Sequence, residues 1–126
     1  DDGYWLAMRQ VLEPAVEHFD PECIFVSAGY DGHWKDPLAG MNLTISGFTD
    51  LVYILMEWAD RFCENRLVLA LEGGYNTDVL PECVRATIER LQDPRADVHD
   101  PFGTSSQFET PVEDLVEDLQ ALHGLG

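Results

Sequence analysis

The sequence has few basic residues. It contains 7 lysines and arginines against 24 aspartates and glutamates, a formal net charge of -17, and Lys35 is its single lysine. Nucleic acids and anionic membrane surfaces are polyanions, so this balance argues against both as direct partners. The acidic residues recur along the whole chain, which indicates a solvated acidic surface rather than one acidic arm. Adaptation to high salt and an ordinary acidic protein would both account for the composition.

Long apolar runs and closely spaced cysteines are also missing. No apolar run approaches the length of a membrane span, and the first residues do not resemble a signal peptide. The three cysteines, Cys23, Cys63 and Cys83, lack the short spacing of a metal or redox motif, so we expect a reducing, cytoplasmic compartment. Because the sequence does not start with methionine, we expect it to begin inside a longer protein.

Apolar periodicity predicts two successive strand–loop–helix units. The predicted elements are a helix over Tyr4–Phe19 interrupted by Pro14, a strand over Cys23–Ala28, a helix over Phe48–Phe62, a strand over Leu67–Leu71, a helix over Leu80–Leu91 and a helix over Pro111–His123. Both strands are apolar on both faces, which is typical of a parallel strand covered on both sides. We therefore expect an α/β fold with a parallel sheet.

Two strands are too few for a sheet of this kind, since sheets usually have about four to six strands. The chain is therefore expected to be part of a larger sheet whose other strands lie outside it. We expect residues 1–92 to form the α/β part, residues 93–110 a linker or loop, and residues 111–126 a short acidic helix.

Each predicted strand ends in a glycine-containing loop that carries a chemically useful side chain. Asp31 follows the first strand and is either a turn residue or a carboxylate ligand for a metal. Tyr75 follows Gly73 and Gly74 after the second strand, and is either an aromatic cover for a helix start or a hydrogen-bond donor. Loops after parallel strands share one sheet edge, so the pair would suit polarisation of a carbonyl and stabilisation of an oxyanion.

Two nearby residues have weaker signals. His33 stands two positions after Asp31, which is poor spacing for a pair of metal ligands. Asp36 precedes Pro37 and is predicted to initiate a turn.

The two loops with their strands carry a family resemblance. The runs SAGYDGHWKDPLAGMNLT and RLVLALEGGYN, with the opening segment, resemble the zinc-dependent histone deacetylase family over about residues 1–91, and in particular its class II, acetoin-utilisation and acetylpolyamine amidohydrolase branches. The resemblance implies an arginase/deacetylase-like α/β fold. It also implies that Asp31 is a zinc ligand, that Tyr75 donates to the substrate carbonyl and its oxyanion, and that Gly73 and Gly74 line the acyl channel.

Other parts of the family's site are absent from this sequence. The family takes its remaining zinc ligands from an Asp-x-His motif and its proton-transfer residues from a His-His pair, both earlier in the domain. None of the four histidines here is paired, and the Asp97–His99 triplet lies out of context after the Gly-Gly-Tyr loop, so we interpret it as coincidence. We expect the chain to be the C-terminal portion of a deacetylase domain that needs the missing N-terminal portion, and to be inactive alone.

The expected function is hydrolysis of acetyl-lysine or of a related acetylated amine in a zinc-dependent amidohydrolase. Three alternatives stay open. The substrate could be a small molecule such as an acetylated polyamine, the domain could be a non-catalytic scaffold or binding module, or it could belong with the manganese ureohydrolases. The last would need clustered aspartates near the strand end, which the neighbours of Asp31 do not supply.

Overall fold

The structure is a computed structural model and describes residues 1–125. The elements of this part of the chain are, in order, α1 (Asp2–Ala7), a π-helical turn (Met8–Leu12), α2 (Glu13–Phe19), β1 (Ile24–Ala28), α3 (Ile45–Phe62), β2 (Leu67–Leu71), α4 (Val79–Gln92) and α5 (Glu113–His123). Every predicted helix and strand is present, and their ends differ from the prediction by only a few residues.

The first predicted helix contains its proline without breaking. Proline cannot donate the helical hydrogen bond, and its ring crowds the carbonyl one turn earlier. The chain accommodates Pro14 in the first turn of α2 and widens into the π-helical turn immediately before it. The helix therefore continues, and it ends at Asp20 in the left-handed conformation with φ 52°.

The two strands pair in parallel, as predicted. Ile24 is opposite Leu67, and the register continues to Ala28 opposite Leu71. Half-buried and exposed positions alternate along β1 and along β2 up to Ala70, and the exposed positions include Phe25, 77% exposed, and Val68, 45% exposed. Within residues 1–125 the sheet has these two strands alone. These residues therefore do not provide the predicted cover on both faces of the sheet.

The core lies between α3, α4 and the loop that follows β1. Its buried members are Tyr30, Leu43, Ile45, Phe48, Val79, Cys83 and Ala86. The Thr44 side chain caps α3 by accepting a hydrogen bond from the Gly47 N–H at 2.9 Å. Because the loop after β1 contributes to this core, its backbone is held by packing as well as by its turns.

Residues 93–110 contain neither helix nor strand but are not detached from the core. Val98 and Phe102 pack against it, and the Trp34 indole N–H donates to the Gly103 carbonyl at 2.9 Å. The Asp100 carboxylate accepts hydrogen bonds from the Ile45 and Ser46 N–H groups at the start of α3. The boundaries proposed at residues 92 and 110 stay predictions.

The C-terminal helix α5 packs on the N-terminal helical segment. Val116 is buried, and the Gln120 side chain donates to the Gln10 carbonyl at 3.0 Å. Gly124 ends the helix in the left-handed conformation, as its sequence position predicts. Over residues 1–125, every helix is either too short or too polar to span a bilayer.

Candidate functional site

The parallel register brings the two loops together at one edge of the sheet. Glu72 N–H donates to the Ala28 carbonyl at 3.0 Å, and Tyr30 N–H donates to the Gly73 carbonyl at 2.9 Å. These bonds extend the ladder beyond the ends of β1 and β2. The loop that carries Asp31 and the loop that carries Tyr75 therefore lie side by side.

The Asp31 carboxylate lies against the backbone of Gly73. A Cβ built on Gly73 would be 2.5 Å from Asp31 Oδ1, and one built on Gly29 would be 2.8 Å from the same oxygen. Both distances are shorter than any ordinary contact, so a side chain at either position would displace the carboxylate. Two glycines, one from each loop, thus allow Asp31 to occupy this place.

Gly74 is required for a different reason. Its φ of 127° lies in a region that residues with a side chain rarely adopt, and a Cβ there would be 2.8 Å from the Leu80 Cδ1 atom. The chain turns at this glycine and presents Tyr75 on the outside. The Tyr75 side chain is 57% exposed, and within residues 1–125 its hydroxyl has no hydrogen-bond partner.

Sequence reasoning missed the residue that holds the Tyr75 backbone. Asp36 Oδ2 accepts hydrogen bonds from the N–H groups of Tyr75, at 2.7 Å, and Asn76, at 3.2 Å. The predicted turn is also present, because Asp36 Oδ1 accepts from the Leu38 N–H at 3.0 Å. The turn signal was visible in the sequence, whereas a contact across 39 residues leaves no local pattern.

Two tyrosines also adjoin the site. Tyr30, the residue before Asp31, is buried; its hydroxyl is 2.7 Å from the Thr87 hydroxyl and its ring meets Phe48 edge-on. Tyr4, in α1, has a raised pKa because of partial burial and the negative charge of Asp31. The N-terminal helix therefore lies within electrostatic reach of the carboxylate.

His33 lies in the core rather than beside Asp31 as a second ligand. It is fully buried, its ring stacks on Trp34 and meets Phe102 edge-on, and its Nδ1 accepts from the Lys35 N–H at 3.1 Å. Burial lowers the pKa of His33, which favours the neutral ring. Its Nε2 is buried without a partner in the described part of the chain.

The described residues do not form a complete metal site by themselves. Residues 1–125 contain no group of three or more His, Cys, Asp or Glu side chains placed to hold an ion. A catalytic zinc takes about three protein ligands, and Asp31 offers one carboxylate. The donor set of this chain alone therefore does not fit a resident zinc ion.

Comparison with known proteins finds deacetylases. The model of the "Histone deacetylase domain" family matches residues 1–91. A "Histone deacetylase-like amidohydrolase" of Pseudomonas aeruginosa is 36% identical, over 98% of this chain and 34% of that protein. A "Probable deacetylase" of Archaeoglobus fulgidus is 37% identical, over 62% of this chain and 22% of that protein. The chain thus spans about a third or less of these relatives.

Solved structures agree on the fold. The HDA15 HD domain superposes with a TM-score of 0.74 at 24% identity, over 95% of this chain and 30% of that one. The histone deacetylase Clr3 superposes with a TM-score of 0.73 at 22% identity, over 94% of this chain and 18% of that one. The predicted arginase/deacetylase-like α/β fold is confirmed for the part of it that this chain forms.

Proposed function

Because the chain belongs to the histone deacetylase domain family, we propose that it supplies one edge of the active site of a zinc-dependent deacetylase. The observation that supports this most directly is the meeting of the two loops, with Asp31 lying against Gly73 and Tyr75 two residues further on. The remaining metal ligands and the general base belong, in this proposal, to parts of the domain outside these residues.

Asp31 is proposed as one ligand of the zinc ion. A carboxylate oxygen is a suitable zinc ligand, and the two glycines give this one a restricted place. When bound, zinc supplies Lewis-acid polarisation of the substrate carbonyl and of water. Since Asp31 alone cannot hold the ion, we expect the isolated chain to lack deacetylase activity.

Tyr75 is proposed as the hydrogen-bond donor to the reacting carbonyl. Hydrolysis adds water across the amide C–N bond and passes through a tetrahedral oxyanion. The Tyr75 hydroxyl is exposed, has no partner within residues 1–125, and can donate to that oxygen. Gly73 and Gly74 present bare backbone beside it, which suits a narrow channel for an acyl chain.

The substrate is proposed to be an acetylated amine, either acetyl-lysine in a protein or a small acetylated amine. The net charge of -17 favours a cationic substrate over an anionic one. A turnover panel that compares an acetyl-lysine peptide with an acetylated polyamine would separate the two classes.

The experiment uses a protein that carries the complete deacetylase domain. Tyr75→Phe should lower kcat by about 10²- to 10³-fold, as expected for loss of an oxyanion donor. Asp31→Asn should weaken zinc binding and lower the rate by a similar or larger factor. Tyr53→Phe and Asp118→Asn are matched controls, since Tyr53 lies in α3 and Asp118 is exposed on α5.

Near-normal turnover by either site variant would refute that residue's role. A complete wild-type domain that binds an acetylated ligand without turning it over would support the scaffold alternative instead.

A further inference from the structure

Three hydrogen bonds join the loop after β1 to the loop after β2 at residues 35–36 and 75–76. Asp36 accepts hydrogen bonds from the N–H groups of Tyr75 and Asn76, at 2.7 and 3.2 Å. The Asn76 side-chain amide also donates to the Lys35 carbonyl, at 2.9 Å. Residues 75–76 therefore supply all three donors, and residues 35–36 supply the acceptors.

The Asp36 carboxylate is buried, and both of its oxygens accept hydrogen bonds. It is 8% exposed, and both oxygens are used, because Oδ1 accepts from the Leu38 N–H. Burial by itself would raise the pKa of Asp36, but the hydrogen bonds from the Tyr75, Leu38 and Asn76 N–H groups hold it below its usual value. Because this buried carboxylate accepts hydrogen bonds from three backbone N–H groups, its position in the loop is fixed.

The position of the Tyr75 phenol depends on the Asp36 carboxylate. On one side of Tyr75, the Gly73 carbonyl is tied to the Tyr30 N–H. Gly74 lies between this hydrogen bond and the one from the Tyr75 N–H to Asp36, and its φ of 127° allows the chain to turn sharply. Since the phenol has no partner of its own in residues 1–125, its location follows from the backbone that Asp36 holds.

We propose that Asp36 is the positioning residue of the site: it holds the Tyr75 backbone, and with it the phenol, at the sheet edge that carries Asp31. This inference rests on the proposed function of Tyr75. In this proposal Asp36 acts on the reaction through Tyr75, without contact with the substrate. One loop thus supplies a carboxylate to the site and, a few residues later, a second carboxylate that aligns the opposite loop.

The first test is a double-mutant cycle in a protein that carries the complete deacetylase domain. Asp36→Ala should lower kcat at least tenfold with less than a threefold change in KM, and Asp36→Asn should restore part of the loss. In a Tyr75→Phe background, Asp36→Ala should lower kcat less than threefold further. An equal fall in both backgrounds would overturn the proposal, because a purely structural role would act whether or not the phenol is present.

Asp100→Ala is the matched control. The Asp100 carboxylate also accepts from several backbone N–H groups, those of Ile45, Ser46, Phe102 and Gly103, but it holds the start of α3 instead of the Tyr75 loop. Whatever loss of kcat it causes should be the same in the wild-type and Tyr75→Phe backgrounds. Coupling of Asp100 to Tyr75 as strong as that of Asp36 would overturn the proposal.

The second test does not depend on turnover. Asp36→Ala, which removes both acceptor oxygens, should speed hydrogen exchange of the Tyr75 and Asn76 backbone amides at least tenfold, while Asp100→Ala leaves them unchanged. Unchanged exchange in Asp36→Ala would refute the positioning role. If exchange accelerates but Tyr75→Phe keeps full activity, the proposed catalytic role of Tyr75 has failed and the contact with Asp36 is structural.

Discussion

Replacing Gly73 with alanine should reduce activity far more than it reduces stability. The new Cβ would lie 2.5 Å from Asp31 Oδ1 and 3.1 Å from Asp31 Cγ. Since non-bonded heavy atoms pack at about 3.5 Å or more, the carboxylate or the loop must move by about 1 Å. Asp31 is partly exposed and its side chain can turn, so the movement should be local.

The expected magnitudes follow from that displacement. A misplacement of about 1 Å can cost on the order of a hundredfold in rate, and metal–ligand distances tolerate only about 0.2 Å. Overpacking of a site usually costs about 1–3 kcal/mol of folding free energy, and the lower end applies where a side chain can move toward solvent. Gly73→Ala should therefore lower kcat/KM about a hundredfold and weaken zinc binding, with about 1 kcal/mol lost in stability.

The assay compares kcat/KM, zinc affinity and urea unfolding for a protein with the complete domain. Gly124→Ala is the control, since Gly124 ends α5 in the left-handed conformation with φ 64°, where an alanine costs about 1 kcal/mol of stability and a Cβ would meet nothing in residues 1–125 within 4 Å. A Gly73→Ala protein with wild-type rate and zinc affinity would refute the assignment of Asp31. So would a loss of rate that Gly124→Ala matches at equal stability.

Three further predictions concern the core and the loops. The native protein should have one readily labelled thiol, Cys23, because burial raises the pKa of the Cys63 thiol and raises that of Cys83 to about 12. Counting reactive thiols before and after denaturation checks this, and three fast-reacting thiols in the native protein would contradict it. Ile54→Ala empties a fully buried site in α3 and should cost about 2–5 kcal/mol in urea unfolding, with less than about 1 kcal/mol refuting the packing. The pKa of Asp36 is lowered in the folded state, so its contribution to stability is present above the ordinary carboxyl pKa and is lost as the pH falls through the lowered value. Asp36→Asn should therefore make the free energy of unfolding less dependent on pH in the acid range. An unchanged pH dependence would contradict the hydrogen bonding described for Asp36.

The parts of the fold that sequence predicted correctly are those whose cause is local. The strand Leu67–Leu71 appears at its predicted bounds, and α3 and α4 each extend only slightly beyond theirs. Periodic burial and capping residues act within one or two turns of chain, so a sequence window contains them. The shared edge of the two loops was also predictable, because it follows from parallel pairing alone.

The parts that sequence missed depend on contacts between distant residues. Val98 and Phe102 pack on the core from a stretch without periodicity, where proline and polar residues predicted a linker or loop. Asp36 makes its turn as predicted, but its second oxygen could have accepted from any exposed amide, and only the packed structure shows that it holds Tyr75. Hydrogen bonds between loops are specified by placement rather than by residue type, so one sequence does not reveal them.

The geometry between Asp31 and Tyr75 depends on few contacts, and these are close in space. The loop after β1 contacts the loop after β2 at Gly73, through Tyr30 and the Asp31 carboxylate. It also contacts residues 75–76, through residues 35–36. The outer face of the sheet, by contrast, leaves Phe25 exposed and must be covered by other residues if it is to be stabilised by burial. Stability of the sheet and alignment of the site therefore have separate origins. It follows that a change on the sheet face should lower stability without changing the relation between Asp31 and Tyr75. A change at Asp36 should disturb that relation and also remove the contribution of Asp36 itself to stability.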